Sequence, residues 1–298
     1  GGPGAPPERL DGGGRLPLVG PVSLASRGAV GAGRHTFVGM PVTRREALAV
    51  LGAGALSALA GCGAATPAGV TEASGTLATS AWPGARPRWR LMRPDGVAAP
   101  RLVVALHGKG GSADDAFDSV RLGDQVARTG LAVASVDGAG LYWHKRRGSD
   151  TGAMVMDELV PLLRREYGVS ASPIGLTGLS MGGYGALWLA VTYGPTRVAA
   201  VAAESAALWL HPGDSAPGAF DDREDFEAHD VFRHAKALAA LPVRLDCGTS
   251  DPFIAANRAL ATAVPSIEAT FDAGGHTAEY WAGHADAQMT WLAAHLTD

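Results

Sequence analysis

Residues 178–185, Gly-Leu-Ser-Met-Gly-Gly-Tyr-Gly, fit Gly-x-Ser-x-Gly with a β-run before them and a helical run after. Few short patterns restrict a backbone so tightly. Pro173–Thr177 reads as a short buried strand and Gly185–Tyr193 as an apolar helix, so Ser180 falls on the sharp turn between them. Such a turn pushes a hydroxyl out at the carboxyl edge of a sheet and aims the first amides of the following helix at it. Ser180 is therefore the candidate nucleophile.

The segments on either side say what kind of sheet this is. Trp89–Met92 alternates like a partly exposed strand, whereas Leu102–Leu106 is a continuous apolar run of the kind buried on both faces. Ala113–Gly130 reads as helix, Leu131–Val136 as a buried strand, and Thr151–Tyr167 as a helix that Pro161 should kink or break. Strands follow at Val198–Ala203, Val243–Cys247 and Ile267–Phe271, with a helix at Phe253–Val264. Trp281, Ala285, Met289, Leu292 and Leu296 make one face of a closing helix. This alternation predicts an α/β fold, a mostly parallel sheet covered on both faces, with chemistry at the carboxyl ends of its strands. Residues 205–235 interrupt it with Pro, Gly and six acids between Asp214 and Glu227, and read either as a small lid or as a solvated loop.

A serine hydroxyl needs a base, and a histidine base works best with an acid that fixes its tautomer. His276, in a Gly-Gly-His loop after the last strand, and Asp251, in Gly-Thr-Ser-Asp-Pro-Phe after the preceding one, supply both in the order Ser, Asp, His. Glu204, Asp246 and Asp272 are the rival acids; Glu204 is the strongest, because it too ends a strand. His107-Gly-Lys-Gly-Gly111 follows the Leu102 strand directly, and main-chain N–H groups at Gly108 and Lys109, with the amide of Met181, would bind an oxyanion. The loop lacks the Gly-Lys-Ser/Thr ending of a nucleotide site. Trp143 and His144, after the Leu131 strand, either line a substrate pocket or pack on the surface.

Together the His107 loop, Tyr142-Trp-His144, the Ser-Met-Gly-Gly elbow, Asp246-Cys-Gly with Asp251-Pro-Phe, and Gly275-His276 resemble one esterase branch of the α/β-hydrolases. That branch includes esterase D-like enzymes, feruloyl and acetylxylan esterases and mycolyltransferases. The resemblance covers about Trp82 to Leu296. It implies an eight-stranded hydrolase sheet, a Ser180, Asp251 and His276 triad, and hydrolysis of a carboxylic ester without metal or other cofactor. Acyl transfer to a sugar or lipid alcohol, peptide cleavage, and a binding protein on the same fold are the alternatives.

Ahead of this domain the chain changes character. Residues 1–39, rich in Gly, Pro and Arg, read as unstructured and as lying upstream of a natural start at Met40. Arg44-Arg45 and the apolar Ala49–Ala60 make residues 40–61 an export signal, with Ala47 where a twin-arginine signal usually has Phe. Leu59-Ala-Gly-Cys62 resembles a lipobox, which makes Cys62 the expected point of lipid attachment and membrane anchorage. Residues 62–81 read as a flexible tether and 82–298 as the catalytic domain. A net charge of −4 with no Lys/Arg stripe argues against nucleic acid as a partner. His229 and His234, five residues apart, do not share a helical face, and no Cys/His spacing marks a metal site. Cys247, in an apolar strand, reads as an inert core thiol.

Overall fold

A computed structural model of the chain describes Gly1 and residues 66–296. The expected export signal and Cys62 lie outside the described residues. One eight-stranded sheet organises the rest. Its strands are β1 (Val70–Thr76), β2 (Arg88–Pro94), β3 (Arg101–Leu106), β4 (Ala132–Val136), β5 (Ser170–Leu179), β6 (Val198–Glu204), β7 (Val243–Asp246) and β8 (Glu268–Thr270). They lie in the order β1-β2-β4-β3-β5-β6-β7-β8, with β2 antiparallel to both neighbours and every other pairing parallel.

Period-two alternation sends the side chains of each central strand to opposite faces. Leu102, Val104 and Leu106 of β3 enter one core, with Trp143, Met154 and Leu187. Val103 and Ala105 enter the other, with Phe117, Met289 and Leu292. The main helices are α1 (Val160–Tyr167), α2 (Met181–Tyr193), α3 (Arg223–Ala228), α4 (Ile254–Ala263) and α5 (Ala278–His295).

Three local expectations are corrected. The stretch read as a tether contains β1, whose Glu72 accepts a hydrogen bond from the buried Arg90 at 2.8 Å, so the sheet begins before Trp82. Val-Thr-Glu-Ala-Ser-Gly-Thr has too little apolar alternation to announce a strand; pairing with β2 makes it one. Ala113–Gly130 is not one helix but turns at Asp115–Asp118, Leu122–Gln125 and Val126–Thr129, with Arg121 left-handed at φ 62° between the first two. Arg90 draws Asp114 and Asp118 to 3.2 and 3.1 Å, and Phe117, Leu122 and Val126 all reach the core only if the chain bends there. Where Pro161 predicts a kink or a break, the residues before it instead form a π-helical stretch, Met154–Leu159, after which the Val160 amide bonds Val155 O five residues back.

Candidate active site

Ser180 sits where β5 ends and α2 begins, at φ 55° and ψ −117°, a region that non-glycine residues rarely occupy. Neighbouring strands hold it there. Its N–H donates to Glu204 O at 2.9 Å, and its own carbonyl accepts from Tyr184 N at 3.0 Å and Ala207 N at 2.9 Å. Gly182 is pressed so closely on the end of β3 that any Cβ would collide with the Leu106 carbonyl. The turn is thus clamped from both flanks.

His276 and Asp251 reach Ser180 from the loops after β8 and β7. The Asp251 carboxylate accepts from His276 Nδ1 at 2.8 Å, which leaves Nε2 free to accept from the Ser180 hydroxyl at 3.0 Å. Asp251 is wholly buried and the His276 side chain is 26% exposed, so the relay is rooted in protein and opens to solvent at the serine end. Burial works to raise the Asp251 carboxyl, but bonds from His276, the Phe253 amide and the Ser205 hydroxyl outweigh it and hold the group below its ordinary value. The rival acids are engaged elsewhere. Asp272 accepts from Tyr280 Oη at 2.7 Å, and Asp246 accepts from Arg244 at 2.7 Å and from Gln288 at 3.1 Å. Glu204 points back under the sheet edge, where burial and the nearby Asp246 charge push its carboxyl well above the ordinary value.

The His107 loop lies beside the serine, with an ideal Cβ on Gly108 only 3.5 Å from Ser180 Cβ. Its shape is fixed from within. His107 Nε2 accepts from Gly138 N at 2.8 Å, so Nδ1 carries the proton and donates to Gly108 O at 2.7 Å. Burial keeps this ring's pKa low. Lys109 sends its ammonium away from the serine, to Pro217 O at 2.8 Å.

Trp143 and His144 do not line a pocket: they are 0% and 1% exposed. Trp143 packs against Gly138 and Gly185 and donates to His107 O at 3.3 Å, which makes it a buttress of the loop beside Ser180. Tyr-Trp-His followed by Lys-Arg-Arg has the look of an exposed patch, but the backbone there takes left-handed φ angles of 57° and 58° at Tyr142 and Trp143 and both rings are buried. The groups that do flank His276 are Phe253 and Trp281, edge-on at 5.3 and 5.0 Å between ring centres. Ser205 also belongs to the site, since Trp281 Nε1 donates to its hydroxyl at 3.1 Å and the same hydroxyl bonds Asp251. Its place directly after β6, at the active edge of the sheet, was the available sequence signal. A cavity of about 20 Å³ under the elbow, bordered by Thr177, Leu179, Glu204 and Gln288, has room for about one water.

Residues 205–235, the cap segment, pack against the loop after β4 and against α2. Arg146 donates to Asp221 at 2.7 Å and to Gly218 O at 2.8 Å, Arg147 pairs with Asp222, and Tyr184 Oη donates to His229 O at 2.9 Å. Folding also assembles what spacing along the chain did not indicate: His144, Asp225 and His229 bring one ligand atom each to within 4.8 Å of the others.

The profile of the family described as "Putative esterase" matches residues 105–295, well over half of the chain. The chain belongs to this esterase family. Among solved structures, a ferulic acid esterase superposes with a TM-score of 0.68 at 16% identity, over 76% of this chain and 99% of its own. An S-formylglutathione hydrolase from Agrobacterium tumefaciens gives 0.67 at 18% identity, over 78% and 98%. FphF, a fluorophosphonate-binding serine hydrolase of Staphylococcus aureus, gives 0.64 at 17%, over 75% and 98%. At these identities the likeness speaks for the shared α/β-hydrolase fold. No curated protein matches the chain significantly.

Proposed function

We propose that this esterase is a serine hydrolase of carboxylic esters that works through an acyl-enzyme on Ser180. The observation that carries the reading is the continuous relay from Asp251 through His276 to the Ser180 hydroxyl, 2.8 and 3.0 Å long. Ser180 Oγ attacks the ester carbonyl carbon while its proton passes to His276 Nε2, and Asp251 stabilises the imidazolium. Negative charge on the former carbonyl oxygen is met by the Met181 amide at the start of α2 and by the main-chain N–H groups of Gly108 and Lys109. Collapse expels the alcohol, which takes the proton from Nε2. Water, deprotonated by the same nitrogen, then attacks the acyl carbon and releases the acid and the serine. Phe253 and Trp281 beside His276, with Trp209 at 5.7 Å from Phe253, offer an aromatic wall to an apolar acyl or alcohol group.

Ser180→Ala decides the matter. It is expected to lower turnover of p-nitrophenyl esters by on the order of 10³-fold or more and to abolish fluorophosphonate labelling, with the circular dichroism unchanged. Near-normal turnover in that variant overturns the mechanism. Product analysis with an added alcohol acceptor separates hydrolysis from acyl transfer.

The same reading places the enzyme outside the cell on a lipid anchor at Cys62, supported by the basic start, apolar run and Leu-Ala-Gly-Cys of residues 40–62. A diacylated cysteine provides the two chains that stable anchoring requires. Cys62→Ser expressed from Met40 is expected to leave the membrane fraction, and unchanged membrane association counts against the anchor.

A further inference from the structure

Where the cap segment meets the core, three side chains converge that the ester chemistry does not use. His144 comes from the loop after β4, Asp225 from α3 and His229 from the residue just past its end. Asp225 and His229 are an i, i+4 pair, so they share a face, and the fold presses His144 against that face with its ring centre 4.5 Å from that of His229. One ligand atom from each lies within 4.8 Å of the other two.

The hydrogen-bond arithmetic around a neutral His144 does not close. Its Nδ1 lies 3.1 Å from Tyr142 O and its Nε2 3.4 Å from Asp225 Oδ2, and both of those oxygens are acceptors. A neutral imidazole has a single N–H and can serve only one of them. With the proton on the nearer contact, the Nε2 lone pair faces a carboxylate oxygen. Asp225 Oδ2 already accepts from Asp221 N at 2.7 Å, and the Arg146 guanidinium stands off at 3.9 Å. The His144 side chain is entirely buried, so bulk water does not relieve the opposition. A cation between the two atoms would turn a repulsive contact into two bonds.

We propose that His144, Asp225 and His229 form a site for a divalent transition metal of the zinc class, which fastens the cap segment to the core. Two imidazole nitrogens and one carboxylate oxygen suit Zn²⁺ and its neighbours, whereas Mg²⁺ and Ca²⁺ prefer all-oxygen ligands. With bonds of about 2.0–2.1 Å, donors around tetrahedral zinc lie roughly 3.4 Å apart, so a set within 4.8 Å must draw in by about 1 Å, and the 2.9 Å contact of His229 Nδ1 with Asp225 Oδ1 would give way to the ion. The His229 and Asp225 side chains are 17% and 12% exposed, which leaves one side open for entry and for a water as fourth ligand. The site would act at a distance on the ester centre, because the segment it fastens carries Pro217, the acceptor of Lys109 from the loop beside Ser180.

The test uses the tag-free protein, stripped with chelator and dialysed against Zn²⁺. Wild type is expected to retain about one zinc per chain by elemental analysis, to melt at a higher temperature with zinc than without, and to give the intense visible spectrum of tetrahedral Co²⁺ when that ion replaces it. His229→Gln should bind zinc at least tenfold more weakly and lose the thermal shift while keeping its metal-free ester turnover. His211→Gln, at an exposed histidine outside the cluster, should behave as wild type. Substoichiometric zinc in wild type, or a Co²⁺ complex without that spectrum, overturns the proposal whatever the variants do. So does equal zinc affinity in His229→Gln, or an equal loss in His211→Gln.

Discussion

That Ser180, Asp251 and His276 come together is legible in the sequence because each follows a strand whose carboxyl end faces the same edge, and chain order then leaves few partners to choose among. Glu204 is the residue for which order alone is ambiguous, since it also ends a strand. Its backbone supports the elbow, through its carbonyl's bond to Ser180 N, while its carboxyl lies buried beneath. Asp251→Asn is expected to lower ester turnover by about 10⁴-fold, because the amide no longer holds the productive tautomer of His276. Glu204→Gln should keep most of the activity; the reverse pattern would reassign the acid. The two differ in stability as well. A carboxyl whose folded pKa lies above its ordinary 4.5 costs stability progressively as pH rises above that value, because the folded state holds a proton that the unfolded chain gives up. Replacing Glu204 by the neutral Gln should therefore raise the melting temperature more at pH 8 than at pH 5. Cys247 offers a check on burial at the same scale: its thiol is pushed up to about 12 by burial first and the Asp251 charge second. Iodoacetamide at pH 8 should modify the Cys247 peptide only after unfolding, as read by mass mapping.

At the scale of elements, buried strands are legible because both their faces are apolar, and the elbow because its glycines are forced by backbone contact. Gly182→Ala tests the second point. The added methyl has no space against Leu106 O, so either β3 or the elbow must move; a loss of about 1–3 kcal/mol in stability and a marked fall in turnover are expected, measured by thermal melts and ester assays. What escapes sequence reading is structure held together by contacts made far along the chain. Trp143 has no local reason to turn inward; the slot between Gly138 and Gly185 supplies it, together with an acceptor at His107 O. The turns of residues 115–129 answer to Arg90, and the cap segment answers to Arg146 and Tyr184. Arg146→Ala, which removes the bonds to Asp221 and Gly218, should leave the global melt nearly unchanged while making residues 212–222 cleavable by protease.

For the molecule as a whole, the strand hidden in the supposed tether matters most. Among the described residues no helix is long and apolar enough to cross a membrane. β1 closes the antiparallel edge of the sheet and covers the indole of Trp89 with Gly75. A chain beginning at Trp82 should therefore melt several degrees below one beginning at Thr66, since each 1 kcal/mol lost corresponds to about 2–4 °C in a domain of this size. Equal melting temperatures would show that β1 adds nothing to the folded domain. The same strand also sets a leash. Taking Cys62 as the proposed anchor, a link running to Trp82 would allow an excursion of roughly 70 Å, but one that ends at Val70 spans eight residue steps and reaches at most about 28 Å. An enzyme held on so short a lead would be confined to a thin shell, where it would meet esters lying in or against the membrane surface, and soluble ones only as they diffuse into that layer.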